Sequence, residues 1–201
     1  MVAAGFAAIA GGPSNGQKKN TETNKLDVSQ STIAWHAKKV TGEHFGDLRF
    51  YSGTLTINDN KVTGGDFEMD MTSIAVKDLQ GEWAGKLEGH LKSEDFFSVD
   101  KYKTSALRIK SMAPIAGAKA GENNYNVVAD LTIKGITNEV SFPAMIIVKK
   151  DEVIANAELN IDRSKFDVRY GSVTFFPNIG DKMINNDFNI KVRVVAKRNK
   201  V

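Results

Sequence analysis

Strict alternation of apolar and polar residues recurs eight times along this chain, and that rhythm leaves few folds open to it. Successive side chains of a strand point to opposite faces, so a period of two marks a strand with one buried and one wet face. The first rows are Ile33-Trp35-Ala37, then Leu48-Phe50 continued by Leu55-Ile57, Phe67-Met69-Met71 and Leu107-Ile109. Longer ones follow: Tyr125 to Ile133 through Val127, Ala129 and Leu131; Val140 to Val148 through Phe142, Ala144 and Ile146; Val153 to Ile161 through Ala155, Ala157 and Leu159; and Phe188-Ile190-Val192-Val194. The interruption between Phe50 and Leu55 falls at Gly53, a site for a bulge or bend. Asn58-Asp59-Asn60, Gly135-Ile136-Thr137-Asn138 and Lys150-Asp151 separate consecutive rows by a few residues, the mark of antiparallel hairpins. The sheet is expected to be a meander.

Eight such strands leave exposed edges unless the sheet closes, so the expected fold is all-β, an eight-stranded antiparallel barrel with one helical insertion. Polar outer faces exclude a membrane-spanning barrel, whose outside must be apolar. A barrel of eight strands is either filled by its own side chains or holds one small ligand. The alanines at 37, 129, 144, 155 and 157 leave room along one wall, which favours a cavity. Its predicted lining is Ile33, Trp35, Leu55, Phe67, Met69, Met71, Leu107, Val127, Ala129, Leu131, Phe142, Ala157, Leu159, Phe188 and Ile190. Aromatics such as Phe45, Phe67, Phe142 and Phe188 are ordinary core residues in any barrel, and only the cavity argument raises them to ligand candidates.

One segment breaks the period. Val76, Leu79, Trp83, Leu87 and Leu91 recur at three- and four-residue spacing, which predicts a helix over 76–92 with one apolar stripe. Gly81, Gly85 and Gly89 each weaken such a helix by about 1 kcal/mol, so it needs packing against the barrel and is the leading candidate for a gate. Residues 171–186, with Phe175-Phe176-Pro177 and Met183-Ile184, are too apolar for an ordinary loop and form the second candidate.

Ahead of the rows, residues 2–10 are small and apolar, and Ala8-Ile9-Ala10 has the form of a signal-peptidase site. Residues 1–25 therefore read as a signal-peptide remnant and flexible tether, and 26–201 as the barrel, with export to the periplasm expected. Nine apolar residues fall short of the roughly 20 that a spanning helix needs, so no stable membrane insertion is expected. Twenty-seven Lys and Arg are interspersed with 24 Asp and Glu, which argues against a nucleic-acid partner. A homodimer is admitted by the sequence.

Catalytic chemistry finds little purchase. The absence of cysteine removes thiol nucleophiles and thiolate metal sites. His36, His44 and His90 lack metal-ligand spacing, and no serine stands in a nucleophile elbow. The expectation is a binding protein rather than an enzyme, with no metal, cofactor or catalytic residue. Asp162 and Arg163 end a strand, where Arg163 is read first as a structural clasp to Asp95 or Asp162 and second as a contact to a ligand head group.

Four passages carry a resemblance: Gly89-His90-Leu91-Lys92-Ser93-Glu94-Asp95-Phe96-Phe97 with Tyr102; Leu131 to Thr137 followed by Val140-Ser141-Phe142-Pro143; Ile161-Asp162-Arg163-Ser164-Lys165-Phe166; and Asp187-Phe188-Asn189-Ile190-Lys191-Val192. In this order, together with Trp35 to Gly53, they resemble the YceI-like family of lipocalin-like, polyisoprenoid-binding proteins. The resemblance implies an extended eight-stranded barrel holding an isoprenoid lipid, such as a prenylquinone, for carriage or storage. The alternative is a non-catalytic stress-response or adhesion scaffold with a filled barrel and a partner-binding surface at 171–186.

Overall fold

The computed structural model describes residues 21–198. Nine strands form one antiparallel sheet: β1 (Thr21–Lys25), β2 (Thr32–Lys39), β3 (Gly42–Asn58), β4 (Lys61–Val76), β5 (Thr104–Pro114), β6 (Tyr125–Ile133), β7 (Ile136–Val148), β8 (Glu152–Asp162) and β9 (Ile184–Lys197). From β2 onward each strand pairs with its sequence neighbour, and β9 pairs back onto β2, with Ile33 opposite Val192. The eight strands β2 to β9 thus close as an up-and-down meander, and each predicted row lies on one of them. Closure leaves no long unpaired edge among them.

The turns follow from local chemistry. Asp59 and Asn60 both adopt left-handed φ, at 49° and 61°, which makes the two-residue turn whose twist matches the flanking strands. Lys134 and Gly135 do the same between β6 and β7, so Ile136 to Asn138, expected in the turn, already belong to β7. The alternation slips where expected near Gly53: the register of β3 against β4 shifts between Phe50 and Ser52, moving the inward set from Leu48 and Phe50 to Leu55 and Ile57. A second slip between Ile109 and Ser111 turns Met112 inward on β5.

Two sequence expectations are corrected at the edges. The part of the flexible tether at 21–25 is β1, paired with the far half of β3 from Thr21 opposite Asn58 to Lys25 opposite Thr54. β1 and β2 flank the same edge of β3, one after the other, and a bend at 26–31 separates them. Glu22 holds this start in place through Arg198, with Nη2 to Oε1 at 2.9 Å. Residues 1–20, including the expected signal remnant, lie outside the described residues.

The helix is shorter than the stripe implied. α1 spans Gly81–Lys92, while Val76 is the buried last residue of β4 and Leu79 sits in the bend between them. Alternation on β4 changes phase after Met71, so Ile74 and Val76 face inward and mimic the start of a helical stripe. α1 rests on the end of β4, where Glu88 Oε1 accepts the Val76 N–H at 2.9 Å. None of its residues is fully buried. Trp83, expected on the docking stripe, is 69% exposed in the first turn, with the Lys86 ammonium 4.9 Å from its ring centroid. Gly81 is left-handed at φ +56°, whereas nothing lies within 4 Å of a Cβ placed on Gly85 or Gly89.

The barrel has two unlike ends. The 59–60 and 149–151 turns and the 115–124 loop lie at one. The other, the helix end, carries the β2–β3 turn, α1, the Lys134-Gly135 turn, a 3-10 turn at Arg163–Phe166 and the irregular 167–183 segment.

Candidate functional site: an apolar cavity inside the barrel

Inward-facing residues of all eight closing strands enclose a cavity of about 210 Å³. Of the fifteen residues predicted to line it, fourteen do: Ile33 and Trp35 from β2, Leu55 from β3, Phe67, Met69 and Met71 from β4, Leu107 from β5, Val127 and Leu131 from β6, Phe142 from β7, Ala157 and Leu159 from β8, and Phe188 and Ile190 from β9. Ala129 is the exception. It shares the inward side of β6 and is fully buried, yet it forms no part of the cavity wall. Its methyl group is the smallest on that face, between the longer Val127 and Leu131.

The wall is thin where the small residues gather. Ala144 on β7 pairs directly with Ala157 on β8, and Ile146 with Ala155. All four border the cavity, as does Ala37. On the opposite side Phe50 and Phe67 meet with ring centroids 6.0 Å apart. Gly46 serves this architecture by having no side chain: a Cβ there would stand 1.8 Å from the Ala75 carbonyl oxygen and 2.7 Å from the Trp35 ring. The indole of Trp35 lies across this gap, its Nε1 buried without a hydrogen-bond partner.

Pattern reading missed several lining residues, each for a local reason. Met112 is hidden by the β5 slip and Ile74 by the phase change on β4. Leu91 of α1 and Phe96-Phe97 after it close the helix end of the cavity. The adjacent aromatic pair just beyond a helical stripe was the available signal for these. Phe45, weighed as core, is 47% exposed instead, because the inward positions on this part of β3 are Gly46 and Leu48.

Arg163 is the one charged residue in the lining, and it is only 3% exposed. Its clasp is made to backbone and not to a carboxylate. Nε donates to the Asn185 carbonyl (3.1 Å), Nη1 to those of Val168 (2.9 Å) and Tyr170 (2.7 Å), and Nη2 to that of Ile184 (3.0 Å). It thereby ties the 167–183 segment across the helix end. Burial pushes the guanidinium below its ordinary pKa, and the Asp162 carboxylate opposes this. Asp162 itself accepts from the Ser164 N–H and hydroxyl.

The histidines take structural places. His36 Nε2 is 3.0 Å from Glu43 and His44 Nδ1 is 2.7 Å from Asp78. His90, expected to hydrogen-bond locally, leaves Nε2 buried and unpartnered, and its ring packs edge-on to Tyr170 at 4.4 Å. No group of three or more His, Asp or Glu among the described residues is placed to hold a metal ion.

A model of the YceI-like domain matches residues 25–196. The chain belongs to the YceI-like family. No curated protein matches it. Among solved structures, BcnA of Burkholderia cenocepacia superposes with a TM-score of 0.66 at 22% identity, covering 85% of this chain and 99% of that one. A polyisoprenoid binding domain from Saccharophagus degradans, implicated in plant cell wall breakdown, gives 0.62 at 14% identity, covering 88% and 98%. The Campylobacter jejuni YCEI protein gives 0.50 at 17% identity, covering 99% and 94%. At these identities the structural likeness establishes the fold, and the YceI-like barrel seen here is that fold. No helix among the described residues is long and apolar enough to cross a membrane.

Proposed function

We propose that this YceI-like protein binds a long-chain isoprenoid lipid, such as a prenylquinone, inside the barrel and carries or stores it in the periplasm without chemical change. The observation that carries the reading is the apolar cavity walled by all eight closing strands. An engineered apolar cavity of about 150 Å³ stays dry and takes up benzene, so one of about 210 Å³ whose wall is apolar but for its helix end is suited to an apolar guest. The polyisoprenoid-binding designation of the Saccharophagus degradans structure adds the class of lipid. Membership of the YceI-like family, which the sequence passages resemble as polyisoprenoid-binding proteins, supports the same reading.

Binding of this kind needs apolar surface, and the cavity wall supplies it. Each five-carbon unit removed from water contributes roughly 4 kcal/mol before ordering and association costs, at about 0.8 kcal/mol per carbon. The competing scaffold reading draws support from Val173 and Phe176 within the 171–186 segment and Tyr170 just before it, each more than two-fifths exposed, but it requires a filled interior. Organic extraction of the purified protein followed by mass spectrometry decides between them. A stoichiometric prenyl lipid is the expected result, and an extract containing none overturns the carrier reading. Export and a homodimeric state complete the proposal, to be checked by cell fractionation and by light scattering.

A further inference from the structure

Polar groups in the cavity wall are unevenly placed. Four residues of its wall are polar; of these Arg163 stands at the helix end, Ser105, the 5%-exposed second residue of β5, also lies toward that end, and Asn185 is an exposed residue whose backbone carbonyl is already taken by Arg163. The fourth, Asn156, alternates outward between Ala155 and Ala157, leaving its backbone to border the cavity. Toward the other end the wall is Val62, Met112, Ile146 and Val194.

Arg163 is also incompletely used. A guanidinium has five N–H donors, and four are spent on backbone carbonyls. One hydrogen on Nη2 has no partner among the described residues, and none of their ion pairs involves Arg163. Buried charges are ordinarily paired. Here the guanidinium lies against the face of Phe96, its carbon 5.4 Å from the ring centroid, and borders the void. A charged donor held rigid at the closed end of an apolar cavity forms a stronger hydrogen bond than it would in water.

The geometry points to a head-group pocket at the helix end, in which Arg163 donates to an electron-rich oxygen of the bound lipid, a carbonyl or phosphate, while the chain runs toward Val62 and Met112. This rests on the lipid-binding reading and adds to it an orientation and a preference. Without such a pocket, burying a polar head costs free energy and a bare hydrocarbon binds best. With it, the order reverses.

The test uses the full chain stripped of lipid, titrated with geranylgeranyl phosphate, geranylgeraniol and the oxygen-free hydrocarbon phytane, and separately with inorganic phosphate. Geranylgeranyl phosphate should bind about tenfold or more tightly than phytane, as a charge-assisted hydrogen bond in a dry site implies, with geranylgeraniol between them. The side-chain N–H signals of Arg163 should shift with the phosphate probe and not with phytane. Arg163→Lys keeps the charge without the fork and, in a variant that melts as wild type does, should lose the advantage. If it does not fold, the head-group series on the wild-type chain decides alone. Phytane binding as tightly as geranylgeranyl phosphate overturns the head pocket while the carrier reading stands. Failure of all three probes to bind overturns both. Inorganic phosphate shifting the Arg163 signals by itself makes this an anion site and overturns its assignment to a lipid.

Discussion

Substituting Ala157 by Phe distinguishes a cavity from a filled core in one variant. Ala157 stands on β8 between Ala144 of β7 and Val192 of β9, with its side chain toward the void. In a packed interior an added ring is an intrusion, costing about 1–3 kcal/mol, or a fall in Tm of roughly 2–12 °C for a domain of this size. In a real cavity the ring occupies vacant space and buries apolar surface, so Tm should hold or rise. Lipid then loses the room of about one five-carbon unit, worth roughly 4 kcal/mol gross. Ordering and association costs recovered on its expulsion leave about 2 kcal/mol, near thirtyfold in Kd. Thermal unfolding with titration of a fluorescent prenyl analogue reads both quantities. A lowered Tm would refute the cavity, and wild-type affinity in a well-folded variant would refute the assignment of this wall to the ligand.

Gly85→Ala and Gly89→Ala should each raise stability by up to about 1 kcal/mol, because a methyl group meets nothing there, whereas Gly81→Ala should lower it by about 1–2 kcal/mol for its left-handed backbone. A chemical denaturation series on the three variants checks the opposite signs. Asp78 should contribute to acid stability: desolvation raises its pKa, but the Phe45 N–H and His44 outweigh that, and the net shift is below 3.8. A depressed carboxylate stabilises the fold above its unfolded pKa and loses that as pH falls through the folded value. The gap between wild type and Asp78→Asn should therefore be full at neutral pH and close below about pH 3.8; a gap unchanged down to pH 2 would sink this account. Amide exchange should be faster across α1, which has no buried residue, than across Tyr125–Ile133, and bound lipid should slow it. Equal protection in both would remove α1 as the moving part and leave the 167–183 segment.

The barrel was legible because a half-buried strand writes its face into every second residue. Alternation also identified the alanine side, since Ala144, Ala155 and Ala157 can point only one way once their strands are assigned. It does not report how far a void extends, which is why Ala129 was placed in the wall. β1 was illegible for the opposite reason: Thr-Glu-Thr-Asn-Lys has no apolar row, and its place depends on pairing with β3 and on Arg198, far away in sequence. α1 was misjudged at its start because two inward residues of β4, in shifted phase, join smoothly to a helical spacing. Arg163 drew attention as a clasp, but its partners are carbonyls of an irregular segment, and carbonyls carry no residue signature.

Because β1 enters and β9 leaves beside the hairpin turns, both ends of the described chain emerge at the pole opposite α1. β9 has 14 residues; at about 3.3 Å each and a tilt of about 40°, it separates the poles by roughly 35 Å. A surface, tag or fusion partner joined close after Arg198 is thereby held on the far side from the pole where α1, Arg163 and the 167–183 segment lie. Immobilised on a sensor chip by its C-terminus, the barrel would stand with that pole facing the bulk solution, accessible to vesicles or micelles offering cargo.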